Sequence, residues 1–232
     1  MQTLKDKVVI ITGAGGAIAG AVAEGFAKAG ARLLLVDRDE VRIAGRASSY
    51  NAPFIESELA SFDDAQKMVT KAKDTYGKVD GLVHLVGAVD TAGVLEAPLE
   101  MFELVFNSNM RTLFYSVKAV LPELLKREEA FIGGIASSEA WGGGAAGASL
   151  FAAAKSAVAT FLRSLDKELV NTQVGVSIVY PMGPADTVTN RNTLGRKSPF
   201  IQPDGIAEAF VRAALSGHGG RLLEIPIYPP RQ

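Results

Sequence analysis

The chain has 232 residues, 48% hydrophobic and 21% charged, with a formal net charge of −1 and no cysteine. This length suits one large domain, and a chain of this size buries roughly 70% of its unfolded surface without covalent staples. The missing cysteine excludes disulfides, thiolate chemistry and zinc–sulfur sites, and the near-zero charge argues against DNA or RNA as a partner.

From Met1 to Lys7 the chain is polar and shows no apolar leader, and no run of about 18 apolar residues follows. The expectation is a cytoplasmic protein with no membrane contact. Short apolar runs then occur at Val8–Ile11, Leu33–Val36, Leu82–Val86, Phe131–Ile135 and Val174–Val179. They are nearly continuous rather than alternating, as expected of strands buried on both faces of a parallel sheet. Between them, helical spacing covers Ala17–Ala29, Phe62–Tyr76, Leu99–Lys126 and Leu150–Leu169. Pro122 is expected to kink or restart the third helix. Strand–helix alternation marks an α/β fold. Residues 1–232 read as a single domain, with a substrate lid near 188–203, where a polar stretch lacks clear periodicity. The final run, Ile225–Pro230, is strand-like but broken by Pro226 and Pro229.

The first strand enters Thr12-Gly13-Ala14-Gly15-Gly16-Ala17-Ile18-Ala19 and then a helix. Such a turn lets backbone N–H groups approach a pyrophosphate at the positive end of the helix. Asp37, about twenty residues on at the end of the second strand, is placed to bind adenosine ribose hydroxyls. A carboxylate there repels a 2′-phosphate and favours NAD over NADP, whereas Arg38 beside it could neutralise one.

These features resemble the short-chain dehydrogenase/reductase family from end to end. The turn matches the family's TGxxxGxG at Thr12 and Gly13 and departs from it at Ala17 and Ala19. Leu82-Val83-His84-Leu85-Val86-Gly87 lies where the family has NNAG, and only Gly87 matches. Glu58 stands near the acidic residue that contacts the adenine, and Pro181–Thr187 resembles the family's PGPVDT, with Thr187 retained. The resemblance implies a single-domain Rossmann-type doubly wound parallel sheet of about seven strands. It implies NAD contacts at Thr12, Gly13, Gly15, Gly16, Ile18, Asp37, Glu58, Gly87, Lys155 and Thr187. It also implies a homodimer or homotetramer paired through Leu99–Lys126 and Leu150–Leu169.

The family's active site is an Asn, Ser, Tyr, Lys tetrad. Asn109, Ser138 and Lys155 take three of these places, and Phe151 stands where the tyrosine belongs. Four residues apart on a helix, Phe151 and Lys155 share a face. A phenylalanine can neither give nor take a proton, so acid–base catalysis worth about 10²–10⁴-fold is missing unless another group acts. His84, Tyr180 and Glu139 are the candidate substitutes. Ser138, Trp141, Phe151 and Met182 would make an apolar pocket wall, joined by Phe200 and Ile201 near the lid, while Arg191, Arg196 and Lys197 supply charge. Two histidines, His84 and His218, form no metal-ligand cluster, and neither GxxxxGK[ST] nor G-x-S-x-G occurs. The leading expectation is an impaired NAD(H)-dependent oxidoreductase acting on a partly apolar alcohol or carbonyl. The alternative is a non-catalytic NAD-binding scaffold or sensor.

Overall fold

The computed structural model describes residues 3–195, 199–216 and 220–231. Arg196, Lys197 and His218 lie outside the described residues. Seven strands form one wholly parallel sheet: β1 (Val8–Thr12), β2 (Arg32–Asp37), β3 (Phe54–Glu56), β4 (Gly81–His84), β5 (Ala130–Ile135), β6 (Val174–Pro181) and β7 (Glu224–Ile227). Their order across the sheet is β3-β2-β1-β4-β5-β6-β7. The doubly wound fold expected from the sequence is therefore present, including two strands, β3 and β7, that no clean apolar run announced.

The continuous apolar runs have a direct explanation. Val8 and Ile10 of β1 and Leu34 and Val36 of β2 point to one core, lined by α3 (Phe62–Tyr76), α5 (Thr112–Leu124) and α7 (Ser149–Glu168). Val9, Ile11, Leu33 and Leu35 point to the other, under α1 (Ala19–Lys28) and α9 (Pro203–Leu215). Each strand alternates between two apolar layers, so both parities must be hydrophobic. Local capping sets the helix entries. Ser61 and Asp64 form a reciprocal capping box on α3, and Asp39 accepts from Arg42 N at the start of α2 (Glu40–Tyr50).

Three expectations need correction. The stretch Leu99–Lys126 is not one helix with a break at Pro122. α4 (Leu99–Phe106) passes into a π-helical turn, Asn107–Arg111, and then into α5, which runs through Pro122 to Leu124. The polar stretch near 188–203, read as lacking periodicity, is helical in part of its described residues. Thr187 caps α8 (Val188–Leu194), and Ile201 bridges to Ala185 and joins the core with Phe200 close to fully buried. Phe200 and Ile201 thus serve packing. Pro226, finally, does not break the last strand, because β7 is an edge strand where a missing N–H is tolerated.

Phe210 of α9 is fully buried, and a Cβ on Gly133 of β5 would stand 2.9 Å from its ring. Phe210→Ala should lower unfolding free energy by about 3–5 kcal/mol, read as a lower urea midpoint at unchanged slope.

Candidate active site

β1 has β2 on one side and β4 on the other, so the chain winds in opposite directions from it. The carboxyl ends of β1 and β4 consequently border the crevice where open α/β sheets bind ligands. The turn after β1 fills its floor. Gly13 has φ +72, and a Cβ there would lie 2.7 Å from Leu85 C and Val86 N. Any side chain would force the β1 and β4 ends apart. Gly15 N donates to Asp37 Oδ2 (2.9 Å) and Asp39 N donates to Asp37 Oδ1 (3.0 Å). The Asp37 carboxylate is thereby locked against the turn, and a Cβ on Gly15 would meet its Cγ at 2.9 Å. Gly16 N closes the turn onto Gly13 O, Ile18 is half-buried at the entry to α1, and Ala17 is exposed beside it. Ser57 N donates to Asp37 O at 2.7 Å, which sets exposed Glu58 next to the end of β2. Arg46 of α2 was not foreseen. Its guanidinium donates to Ala14 O and, at 3.1 Å, to Gly16 O, tying α2 to the turn. No sequence motif marks it, because the partners are backbone carbonyls.

Across the crevice, Lys155 of α7 is buried and its Nζ donates to Ile135 O at 3.1 Å. Burial lowers its pKa to about 8, with the Glu139 carboxylate opposing the shift. Asn109 sits in the π-helical turn and is buried there. Its Nδ2 donates to Ala88 O and Val105 O, both at 2.9 Å, while its buried Oδ1 has no partner among the described residues. A Cβ on Gly87 would collide with Asn109 Oδ1 and stand 3.2 Å from Lys155 Nζ, so only glycine leaves that space open. Gly87, Asn109 and Lys155 are thus gathered in one place. Ser138 opens the short helix α6 (Ser138–Gly142), packed on α7, and its Oγ donates to Glu139 Oε2 at 3.2 Å. Phe151 is buried in an apolar cluster with Met101, Val105 and Ala154, on the α4 side of α7. Thr187 caps α8, accepting from Asn190 N.

The three candidate proton carriers separate clearly. His84 is buried, and its Nδ1 and Nε2 lie 2.8 and 3.2 Å from the Thr12 and Thr112 hydroxyls. Thr112 spends its own proton on Ser108 O (2.9 Å), so Nε2 carries the imidazole proton and Thr12 donates to Nδ1. Burial, aided by Lys155, pushes the His84 pKa down to about 3. It is a neutral strut. Tyr180 is also consumed: its hydroxyl receives Arg163 Nη2 (3.0 Å) and donates to Glu224 (2.9 Å), and burial raises its pKa. Trp141 stacks edge-on against the Tyr180 ring at 4.8 Å. Glu139 alone of the three contacts an expected catalytic residue.

The short chain dehydrogenase family profile matches residues 7–197. An uncharacterized oxidoreductase of Staphylococcus saprophyticus is 29% identical over 235 residues, covering 99% of this chain and all of the relative. One from Staphylococcus aureus is 26% identical with the same coverage. The crystal structure of a 3-ketoacyl-(acyl-carrier-protein) reductase from Brucella melitensis, complexed with NADH, superposes with a TM-score of 0.89 at 24% identity, over 97% of this chain and 98% of that one. The chain belongs to the short-chain dehydrogenase family.

The His84 assignment has a pH signature. Its folded pKa lies below the unfolded 6.5, so the unfolded state binds more protons between about 3 and 6.5. Stability should be unaffected by His84 above pH 6.5 and fall by up to ~1.4 kcal/mol per pH unit below it. Histidine NMR should show His84 untitrated at pH 5, and His84→Gln should flatten the acid limb of the stability curve.

Proposed function

We propose that this chain is an NAD(H)-dependent oxidoreductase that interconverts a partly apolar alcohol and its carbonyl, with the proton step weakened by Phe151. The observation that carries the reading is the gathering of Gly87, Asn109 and Lys155 beside the Gly13–Gly16 turn. Those residues fit a dinucleotide on physical grounds. The Lys155 ammonium is buried with a hydrogen bond only to Ile135 O among the contacts described, although a buried cation needs several acceptors. The ribose hydroxyls of a nicotinamide nucleotide would supply them. Asn109 Oδ1, an unpaired buried acceptor, suits an ordered water there. Asp37 retains acceptor capacity for the adenosine ribose after taking two N–H groups. Its charge favours NAD over NADP, while Glu58, Ile18 and Thr187 would border the adenine, pyrophosphate and nicotinamide ends.

When bound, the nicotinamide supplies or accepts the hydride. The protein's part is orientation and proton handling. Ser138 Oγ hydrogen-bonds the substrate oxygen, Lys155 holds the ribose, and the ring of Phe151 contributes only shape. Assembly through α4, α5 and α7 into a homodimer or homotetramer is supported by exposed Leu99, Phe102 and Phe114 on the first two. A cytoplasmic setting accords with the absence of cysteine, and no described helix is long and apolar enough to cross a membrane. A non-catalytic NAD-binding scaffold or sensor is the second reading, favoured by the absence of the tyrosine.

Fluorescence titration should show NADH binding about tenfold or more tighter than NADPH, the scale of a modest charge repulsion. Phe151→Tyr should raise carbonyl reduction by about 10²–10⁴-fold. NADH uptake without turnover in either protein favours the scaffold, and no uptake overturns the proposal.

A further inference from the structure

The hydrogen-bond polarity at Ser138 reaches beyond the family assignment. Ser138 Oγ lies 3.2 Å from Glu139 Oε2. A carboxylate only accepts, so the single serine proton is directed at Glu139 and the serine lone pairs remain able to accept. A hydroxyl held this way accepts a hydrogen bond from an alcohol and has none to give a carbonyl oxygen. Glu139 is half-buried, so a proton received there has a path to water. The other groups around it do not compete. Lys155 on α7 only donates in its charged form, His84 on β4 has both ring nitrogens engaged, and Tyr180 on β6 holds its proton toward Glu224.

We propose that Glu139, acting through Ser138, takes the place of the absent phenol as proton acceptor, and that the site is built to oxidise a secondary alcohol. This rests on the NAD-dependent reading above. The alcohol O–H proton passes to Ser138 Oγ while the serine proton passes to Glu139 Oε2. The carbinol C–H leaves as hydride to an oxidised nicotinamide dinucleotide, the carbon–oxygen double bond forms, and Glu139 releases the proton to water. The carbonyl-reducing direction lacks such help, because the serine proton is already directed at Glu139 Oε2.

The test compares the wild-type chain with Glu139→Gln, Glu139→Asp and Ser138→Ala. Cyclohexanol and 1-phenylethanol are offered with NAD⁺, and the matching ketones with NADH. Glu139→Gln should lose about 10²–10⁴-fold in kcat for alcohol oxidation while KM stays within about threefold, and Glu139→Asp should restore part of the rate. A second arm needs no cofactor. Lysine ε-carbon NMR of the cofactor-free proteins should place Lys155 near 8 in the wild type and lower in Glu139→Gln, because the opposing carboxylate is gone. Alcohol turnover within twofold of wild type in Glu139→Gln, or a Lys155 titration unmoved by it, overturns the proposal. Failure of the wild type to take up NAD⁺ overturns the NAD reading instead, and the Lys155 titration still reports on Glu139.

Discussion

A positive charge has been taken out of water at the crest of a parallel sheet. Desolvation of the Lys155 ammonium is costly, and the crevice around it follows from that cost. Ile135 O meets one of its protons where β5 ends, and Glu139 lends a compensating charge from α6. Gly87 withholds a side chain, so the remaining donors face open space. The π-helical turn delivers Asn109 to the same space with an acceptor unused. A site left this incompletely satisfied costs stability unless a polar ligand completes it, which gives the arrangement a functional sense.

The sheet makes this placement rigid. Its two apolar layers clamp every central strand from both faces, so the strand ends hold their relative positions closely. The β1 turn exploits that rigidity. Gly13 brings its backbone against Leu85 and Val86, and Asp37 grips Gly15 across the adjacent strand end. Arg46 adds a third tie from α2. Departures from the family pattern at Ala17 and Ala19 are therefore accommodated in a turn secured by other means: Ala17 projects outward, and Ala19 packs at the start of α1.

The position expected to carry a phenol holds a phenyl ring, and α7 runs through it without interruption. Phe151 sits in an apolar cluster that a phenyl ring satisfies fully. His84 and Tyr180 resembled alternatives when judged by chain position, but both are spent on internal bonds. Glu139 differs because its partner is Ser138, the residue expected to meet substrate.

What the linear order of residues decided is the class of fold and most of the candidates for the site. Apolar runs of both parities require a sheet covered on two faces, a glycine-rich turn after the first strand requires close approach, and the spacing of Ser138, Phe151 and Lys155 puts them on neighbouring elements. These are properties of local chemistry and period, and they survive without coordinates. Only the folded chain decided which polar groups are already paired. The tautomer of His84, the commitment of Tyr180 to Glu224, the docking of Arg46 on two carbonyls and the direction of the Ser138 proton all depend on atoms brought together from distant segments. Hydrogen bonding and desolvation are set by distance in space, which sequence separation does not encode.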